Sequence, residues 1–485
     1  MSPGIEIGVK DGKIACIGTS LSAGQNTHII DAEGAYITPG GVDSHVHLAQ
    51  KNSPTGDGWE TGSRSAIAGG TTTIIAFASQ QKTDESLYPV LEDYVKKSKD
   101  QSYADYSYHF ILTNPTAKIL QDELPVMARE HGITSVKLYT TYPAMQLNDR
   151  QILDILFTCK SLGMTTMIHA ESNDMIKFII EGLERNHHTE PYFHAVARPR
   201  IAEDEASYRA ISLAELADAP MLLVHMSSEV AVGHVRDAQT RLLPIHAETC
   251  PHYLFLLSEE IKAKPHDHFS GAKHVCSPPL RHDPKDLEAL WTSIANGTFT
   301  TWSSDHAPSK YDHPGGKQLG LVDGIPRFTK IPNGLPGLET RVPLLFSQTP
   351  ACQPPEKVRL SLPRFVQLTA ANAAKLYGLE GKKGSIAPGY DADLIIWHPR
   401  DTGAVTITQD LLHHDIDYTP FEGVHVGNWP RYTILRGKVV WDKATGVVGE
   451  KTYGQYLKRG RGQVLNGRTG NIPRGMIEDE RKYWL

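Results

Sequence analysis

Apolar segments and amphipathic helical patterns alternate along most of this 485-residue chain. The run 71–78 is β-branched and apolar without polar alternation, which is typical of a strand buried on both faces of a parallel sheet. Helical patterns lie between such runs, for example at 58–68, 149–162 and 203–217. The predicted strands begin near Tyr36 and then follow at 71–78, 106–112, 133–139, 165–169, 221–225, 243–247 and 299–303. Eight strands, each followed by a helix, predict an α/β fold of the (β/α)₈ TIM-barrel type.

Shorter strand patterns flank this region at both chain ends. They lie at 5–9, 14–17 and 27–30, and again at 393–397, 432–435 and 438–441, after a turn-rich link at 384–389. We expect both ends to build one small β-sandwich domain beside the barrel. The predicted limits are 1–38 and 385–450 for the β-domain, 39–384 for the catalytic barrel and 451–485 for a C-terminal tail. The tail is either loose or an arm that packs on a neighbouring subunit.

Composition excludes several partners. The net charge is −6 and the isoelectric point is near 6.4. Like charges do not cluster, so a nucleic-acid or anionic-membrane surface is not expected. No apolar run approaches the length that crosses a membrane. The five cysteines are widely spaced and form no Cys-x-x-Cys pair, which predicts reduced thiols and a cytoplasmic location.

Candidate metal ligands stand at the ends of the predicted strands. Side chains of a strand alternate between its faces, so His45 and His47 point the same way. Imidazole and carboxylate groups end further strands, at His169, at His225 and at Asp305. In barrels of this type catalytic groups come from the carboxyl ends of several strands, because these ends open on one common mouth. The sequence therefore predicts one metal site assembled from distant segments.

Lys137 belongs to this set, although an ammonium group cannot bind a cation. It lies in the apolar strand context Val136-Lys137-Leu138-Tyr139, where a lysine is uncommon. Burial lowers the pKa of an amine and makes its neutral form reactive. If this amine takes up CO₂, the resulting carbamate offers two oxygens, one for each of two metals.

Together these motifs resemble the cyclic amidohydrolases of the dihydropyrimidinase and hydantoinase type. The matching segments are 41–47 (GVDSHVH), 69–73 (GGTTT), 135–142 (SVKLYTTY), 246–253 (HAETCPHY), 276–281 (CSPPLR), 304–306 (SDH) and 328–334 (FTKIPNG). Two later segments, 417–423 (DYTPFEG) and 428–432 (NWPRY), are similar to fungal dihydropyrimidinases in particular. The resemblance runs from about residue 11 to about residue 460.

The resemblance implies two Zn²⁺ ions per subunit. One zinc is held by His45, His47, carboxylated Lys137 and Asp305, and the other by Lys137, His169 and His225. The substrate is then a small cyclic amide, and the assembly a homotetramer.

The resemblance also implies roles around the substrate ring. Tyr142 hydrogen-bonds the carbonyl oxygen, and the backbone at Ser277 and Asn333 grips the ring's amide atoms. Asp305 acts as general base and then as general acid. The expected reaction opens a dihydropyrimidine or hydantoin ring to an N-carbamoyl amino acid.

Several alternatives stay open at this point. Dihydroorotases carry an arginine two residues after the second histidine, where this chain has Ala49, so an acidic ring is disfavoured. An allantoinase or a cyclic imide hydrolase would keep similar metal motifs. Single-metal deaminases of the superfamily lack the bridging lysine. A non-catalytic scaffold related to dihydropyrimidinases is disfavoured because all six ligand positions are filled.

Overall fold

The computed structural model describes residues 4–51, 53, 55–400 and 402–463. Three strands precede the barrel, namely β1 Glu6–Lys10, β2 Lys13–Gly18 and β3 Ile37–Pro39. Strands β1 and β2 form an antiparallel hairpin, as expected from the turn at Asp11-Gly12. The predicted strand at 27–30 is wrong, because this stretch has no regular structure. Its apolar pattern does not mark a buried face, since Ile29 is 70% exposed and only Ile30 packs on a core.

Eight parallel strands form the barrel. They are β4 Gly41–Val46, β5 Thr71–Ser79, β6 Asp105–Ile111, β7 Ser135–Tyr139, β8 Thr165–His169, β9 Met221–Leu223, β10 Ile245–Thr249 and β11 Thr301–Trp302. Their order in the sheet follows their order in the chain, with β4 and β11 at its two ends. The predicted barrel is therefore confirmed.

The first predicted barrel strand is divided in two. Residues near Tyr36 lead into β3, which pairs with a C-terminal strand outside the barrel, whereas β4 starts only at Gly41. Gly40 makes this division possible, because a Cβ there would lie 2.2 Å from Oγ1 of Thr72. The prediction of one continuous strand was wrong because both halves are apolar and nothing in their pattern marks the change of sheet.

Helices follow every barrel strand. They are α1 Trp59–Ala68, α2 Tyr88–Ser98, α3 Leu124–Arg129, α4 Asp149–Leu162, α5 Asn173–Arg185, α6 Phe193–Ala197, α7 Arg200–Ala217, α8 Glu229–Thr240, α9 His252–Phe255, α10 Pro284–Ala295, α11 Arg341–Phe346, α12 Leu362–Val366 and α13 Asn372–Leu376. Helix α4 has the predicted bounds because its signals are strong. Asn148 and Gln151 form a reciprocal capping box, and Gly163 ends the helix in the left-handed region.

The barrel closes along a seam between β4 and the segment after β11. The backbone of Val46 bridges to His306, and the His47 amide donates to the His306 carbonyl at 2.8 Å. Below this bridge, Oδ1 of Asp43 accepts from the amides of both His45 and Ser304, each at 3.2 Å. We call Asp43, Val46, Ser304 and His306 the closure seam. It lies directly beneath the predicted ligands His45, His47 and Asp305.

A smaller β-domain lies beside the barrel. The strands that follow β11 in the chain are β12 Leu321–Val322, β13 Ile325–Pro326, β14 Leu394–Trp397, β15 Val405–Thr406, β16 His425–Val426, β17 Pro430–Leu435, β18 Lys438–Asp442 and β19 Gly446–Val447. Of these, β12 and β13 form a separate two-stranded sheet. Five strands form one sheet in the order β19-β18-β17-β14-β3, so both chain ends contribute to it. Ile14 of β2 packs in one small core with Leu394 and Ile434 of this sheet. The predicted domain limits stay a proposal, which this joint sheet supports.

Residues 454–463 run along the end of the barrel where its strands begin. Tyr456 bridges to Tyr106 in parallel, and the amides of Arg459 and Gly460 donate to Gly132 and Gly378. This part of the predicted tail therefore packs on the barrel of its own chain, which neither alternative anticipated. Residues 464–485 of that tail lie outside the described part of the chain.

Candidate active site

All six predicted ligands line one cavity of about 270 Å³ at the carboxyl ends of the strands. His45 is the fifth residue of β4, Lys137 lies in β7 and His169 ends β8. The others, His47, His225 and Asp305, lie one, two and three residues after the ends of β4, β9 and β11, respectively. The parallel strands bring these segments together because their carboxyl ends share one rim.

The ligand atoms lie within the reach of a common ion. One nitrogen each of His45 and His225 and an oxygen of Asp305 lie within 4.8 Å of one another. His47 Nε2 is 3.6 Å from Oδ1 of Asp305. The ring of His169 lies 4.4 Å from the ring of His225, measured between centroids. The two predicted ligand groups therefore meet in one cluster.

Lys137 is fully buried between these two groups. Its Nζ lies 3.3 Å from Nε2 of His45 and about 5 Å from the ring centroids of Phe77 and Tyr139. Among the described residues, no carboxylate lies within ion-pair distance of this amine. Burial lowers the pKa of Lys137 to about 8, although the more distant Asp305 and Glu248 favour its charged form. The neutral amine is thus accessible near neutral pH.

Two residues of the cluster have left-handed backbones. The φ angles are +46° at Asp305 and +40° at His225, a region that side chains other than glycine rarely adopt. Such conformations persist only where the surrounding structure enforces them, and they occur often at functional sites. Burial raises the pKa of Asp305, but His45, His47 and His225 outweigh this and hold it well below its usual range. Asp305 is therefore an anion.

Most histidines of the cluster are neutral. Burial lowers the pKa values of His47, His169 and His225. His45 differs: burial and Lys137 lower its pKa, but Asp305 and Glu248 raise it above its usual value overall. Neutral imidazole is the form that binds metals.

Two glutamates that the sequence interpretation had not assigned orient the histidines. Oε1 of Glu248 lies 2.6 Å from Nδ1 of His45 and also accepts from the His225 amide at 3.3 Å. Oε2 of Glu171 lies 2.6 Å from Nε2 of His169. Such partners fix the orientation of metal-binding histidines. One signal was present, because Glu171 and His169 repeat the one-residue spacing of His45 and His47 at a strand end.

The predicted substrate-binding residues line the other wall of the cavity. Tyr142, Ser277 and Asn333 all contribute to it. The Asn333 side-chain amide donates to the Tyr142 hydroxyl at 3.2 Å. Burial raises the pKa of Tyr142, against Arg198, which lowers it. Tyr142 is therefore a protonated phenol that can donate a hydrogen bond.

A buried lysine joins the two backbone segments of this wall. Nζ of Lys317 donates to the carbonyls of Pro332, Gly334 and Val275 at 2.6, 2.9 and 3.2 Å. The carbonyls of Pro332 and Gly334 flank Asn333, and that of Val275 lies two residues before Ser277. Lys317 therefore fixes the spacing between the two segments.

The donor set suits divalent transition metals. Four imidazoles, one carboxylate and a lysine that can become a carbamate provide nitrogen and oxygen ligands of the kind zinc accepts. Nδ1 of His225 is buried and has no hydrogen-bond partner among the described residues. A buried, unpaired imidazole nitrogen is costly unless another group, such as an ion, satisfies it. The residues present therefore fit a metal centre.

The barrel and this cluster define an enzyme with a candidate metal centre at the mouth of a (β/α)₈ fold. The sequence model of the amidohydrolase family matches residues 36–440. The chain therefore belongs to the amidohydrolase family, and within it to the hydantoinase and dihydropyrimidinase group. Members of this family are typically metal-dependent, which agrees with the histidine and aspartate cluster.

Individual relatives cover nearly the whole chain. A D-hydantoinase of Geobacillus stearothermophilus is 40% identical over 457 residues, or 93% of this chain and 92% of that protein. The crystal structure of a dihydropyrimidinase from Brevibacillus agri has a TM-score of 0.88 at 35% identity and covers 94% of this chain and 95% of its own. A D-hydantoinase from a Bacillus species has a TM-score of 0.87 at 35% identity, with 94% and 96% covered.

These relatives confirm the predicted family, the barrel with its smaller β-domain, and the enzyme class of cyclic amidohydrolase. A non-catalytic scaffold is correspondingly disfavoured. Within the described residues, no helix combines the length and the apolar character needed to cross a membrane.

Proposed function

We propose that the protein opens the ring of a 5,6-dihydropyrimidine or a 5-substituted hydantoin and releases an N-carbamoyl amino acid. The observation that carries the proposal is the buried Lys137 amine, which lies 3.3 Å from Nε2 of His45 and, among the described residues, has no carboxylate within ion-pair distance. A buried ammonium without a counter-ion is unfavourable, whereas a carbamate at this place would have cations to bind. The hydantoinase and dihydropyrimidinase names of the relatives support this substrate class.

Two Zn²⁺ ions would complete the site. Carboxylation joins the neutral Lys137 amine to CO₂ through a new N–C bond and releases one proton. His45, His47, Asp305 and the carbamate would hold one ion. His169, His225 and the carbamate would hold the other. When bound, such a pair lowers the pKa of water toward neutrality and polarises a carbonyl group.

The residues of this chain then have separate tasks. Asp305 is an anion at the cavity floor, so it can accept the proton of the attacking water and return it to the leaving ring nitrogen. Tyr142 donates its hydroxyl to the carbonyl oxygen, where negative charge develops. The backbone around Ser277 and Asn333 holds the amide atoms of the ring, with its spacing fixed by Lys317.

An allantoinase or a cyclic imide hydrolase remains the second candidate, because it would use the same cluster. The decisive experiment is a hydrolysis panel of dihydrouracil, phenylhydantoin, allantoin, a cyclic imide and dihydroorotate, with metal analysis of the same sample. We expect dihydrouracil or phenylhydantoin to be hydrolysed fastest, with two zinc ions per subunit. Turnover of allantoin or the imide alone would transfer the assignment to the second candidate.

Lys137→Ala tests the bridging role. We expect this variant to lose bound metal and turnover together, with partial rescue by small carboxylic acids that replace the carbamate. The matched control is Lys285→Ala, which removes an exposed lysine from α10. Normal zinc content and a normal rate in the Lys137 variant would refute the proposed centre.

We further propose a cytoplasmic homotetramer. Cys16, Cys159, Cys250 and Cys276 form no disulfide among the described residues, which suits a reducing compartment. Helix α5 packs against α6 and α7, and these helices expose large apolar side chains, with Phe178 72% and Tyr208 61% accessible. Large apolar side chains exposed on neighbouring helices point to a subunit contact. Phe178→Glu should lower the mass measured by light scattering, whereas Ile29→Glu, at another exposed apolar site, should not.

A further inference from the structure

A buried arginine that the mechanism above does not use lies behind Tyr142. Arg198 is located between α6 and α7 and is nearly inaccessible to solvent. Its guanidinium carbon lies 5.1 Å from the centroid of the Tyr142 ring. Its Nη1 donates to Oε2 of Glu171 at 2.6 Å. The positive charge therefore faces the residue that would donate to the substrate carbonyl.

Arg198 also connects the two halves of the site. Oε2 of Glu171 accepts from Arg198 and lies 2.6 Å from Nε2 of His169. One continuous set of contacts thus runs from His169 through Glu171 and Arg198 to Tyr142. Tyr142 itself has a left-handed backbone, with φ +64°, so its place in the cavity depends on surrounding contacts.

Buried contacts made by Arg281 hold the backbone of Arg198 in place. Nη1 of Arg281 donates to the Arg198 carbonyl at 2.8 Å, and Nη2 of Arg281 pairs with Glu203 at 2.6 Å. Arg281 and Glu203 are both buried, as is the Glu171 partner of Arg198. The position of the charge is therefore fixed before any substrate binds, which is the arrangement that electrostatic stabilisation requires.

We propose that Arg198 is a positioning residue that fixes the Tyr142 ring and strengthens hydrogen-bond donation by its hydroxyl in the transition state. A cation at a ring face attracts the π electrons, and a polarised phenol donates more strongly to an oxygen that is gaining negative charge. Burial keeps this effect from being screened by water. The inference rests on the proposed function, since it assumes that Tyr142 contacts the substrate carbonyl.

A double-mutant cycle tests this dependence. It compares wild type, Arg198→Met, Tyr142→Phe and the double variant on the panel substrate that the wild type hydrolyses fastest. We expect Arg198→Met to lower kcat about 3- to 30-fold, as a buried cation–π contact implies, with a smaller change in KM. Tyr142→Phe alone should cost about 100-fold or more. In the Tyr142→Phe background, Arg198→Met should change kcat less than about 2-fold.

An equal loss in both backgrounds would overturn the proposal, because a merely structural role does not depend on the Tyr142 hydroxyl. Metal content is measured in every variant, since Arg198 also touches Glu171. A fall in metal that accounts for the lower kcat would likewise overturn it. If Arg198→Met fails to fold, Arg198→Gln, which keeps polar atoms for Glu171 but removes the charge, completes the same cycle with the same criterion.

The matched control is Arg200→Met. Arg200 is two residues further along the chain, is partly exposed and pairs with Asp286 away from the cavity. The Arg200→Met variant should keep kcat within about 2-fold of wild type. If the wild type hydrolyses no substrate of the panel, the proposed function fails by itself. If the wild type is active and the cycle is additive, only the Arg198 inference fails.

Discussion

The closure seam offers a direct test of how the barrel supports the site. Asp43 and Arg341 are both fully buried, with Nε of Arg341 3.3 Å from Oδ2 of Asp43. The other oxygen of Asp43 joins the amides of His45 and Ser304 across the seam. Asp43→Asn keeps an acceptor for both amides but removes the charge that balances Arg341. Asp43→Leu removes the charge and the acceptor.

The expected magnitudes follow from these contacts. Removing one partner of a buried ion pair costs about 3–5 kcal/mol, because the remaining charge is left without compensation. We therefore expect Asp43→Asn to lower the free energy of unfolding by about 3–5 kcal/mol. Asp43→Leu also leaves two buried N–H groups unpaired, at about 1–3 kcal/mol each, for a total of roughly 5–11 kcal/mol. That total approaches the whole stability of a typical protein, of about 5–15 kcal/mol.

Urea unfolding followed by fluorescence measures these differences. The double variant Asp43→Asn/Arg341→Met removes both charges and should be less destabilised than the sum of the single variants. Glu288→Gln is the control, because it breaks the exposed pair with Arg359 and should cost at most about 1 kcal/mol. The reasoning would be refuted if Asp43→Asn and Arg341→Met each lowered the free energy of unfolding by less than about 1 kcal/mol. It would also be refuted if the losses of the two single variants added fully in the double variant.

Two further predictions concern metal affinity and acid stability. Glu248→Gln weakens the acceptor at His45 Nδ1 and should lower zinc affinity about 10- to 100-fold in a chelator competition. The control Glu259→Gln, at an exposed site, should leave the affinity unchanged, and equal affinities of the two variants would contradict the orienting role. Burial lowers the pKa values of His274 and His414 to about 4, so the folded state binds fewer protons than the unfolded state between about pH 4 and 6.5. Stability should therefore fall as the pH drops from 6.5 toward 4, by about 2 kcal/mol for each histidine at pH 5. Urea unfolding should show a smaller fall in His414→Asn than in wild type, and an equal fall would remove His414 as a cause.

Much of the candidate site could be predicted from the sequence because its residues lie at the ends of predicted strands. His45, Lys137 and His169 lie in or at the ends of apolar runs, where polar side chains are uncommon. A barrel requires such ends to meet, so the fold prediction and the ligand prediction supported each other. All nine predicted site residues do line the same cavity, whereas their individual roles stay predictions.

The residues that escaped prediction act through contacts between distant segments. Glu248 lies 203 positions from His45, and Arg198 lies 56 positions from Tyr142. A glutamate in a strand or an arginine before a helix has many possible partners, and only the folded geometry selects one. The change of sheet at Gly40 escaped for a similar reason, because the partner of β3 lies more than 350 residues away.

The late position of Arg459 in the chain determines when the base of the barrel can be completed during synthesis. It reaches into the base of the barrel, where it donates to the hydroxyls of Ser107 and Ser135, each at 2.9 Å. On the ribosome, strands β6 and β7 emerge more than 300 residues before the side chain that fills the space between them. The nascent barrel must therefore keep a polar gap at its base until Arg459 has been synthesised, a long interval in which chaperones can bind it.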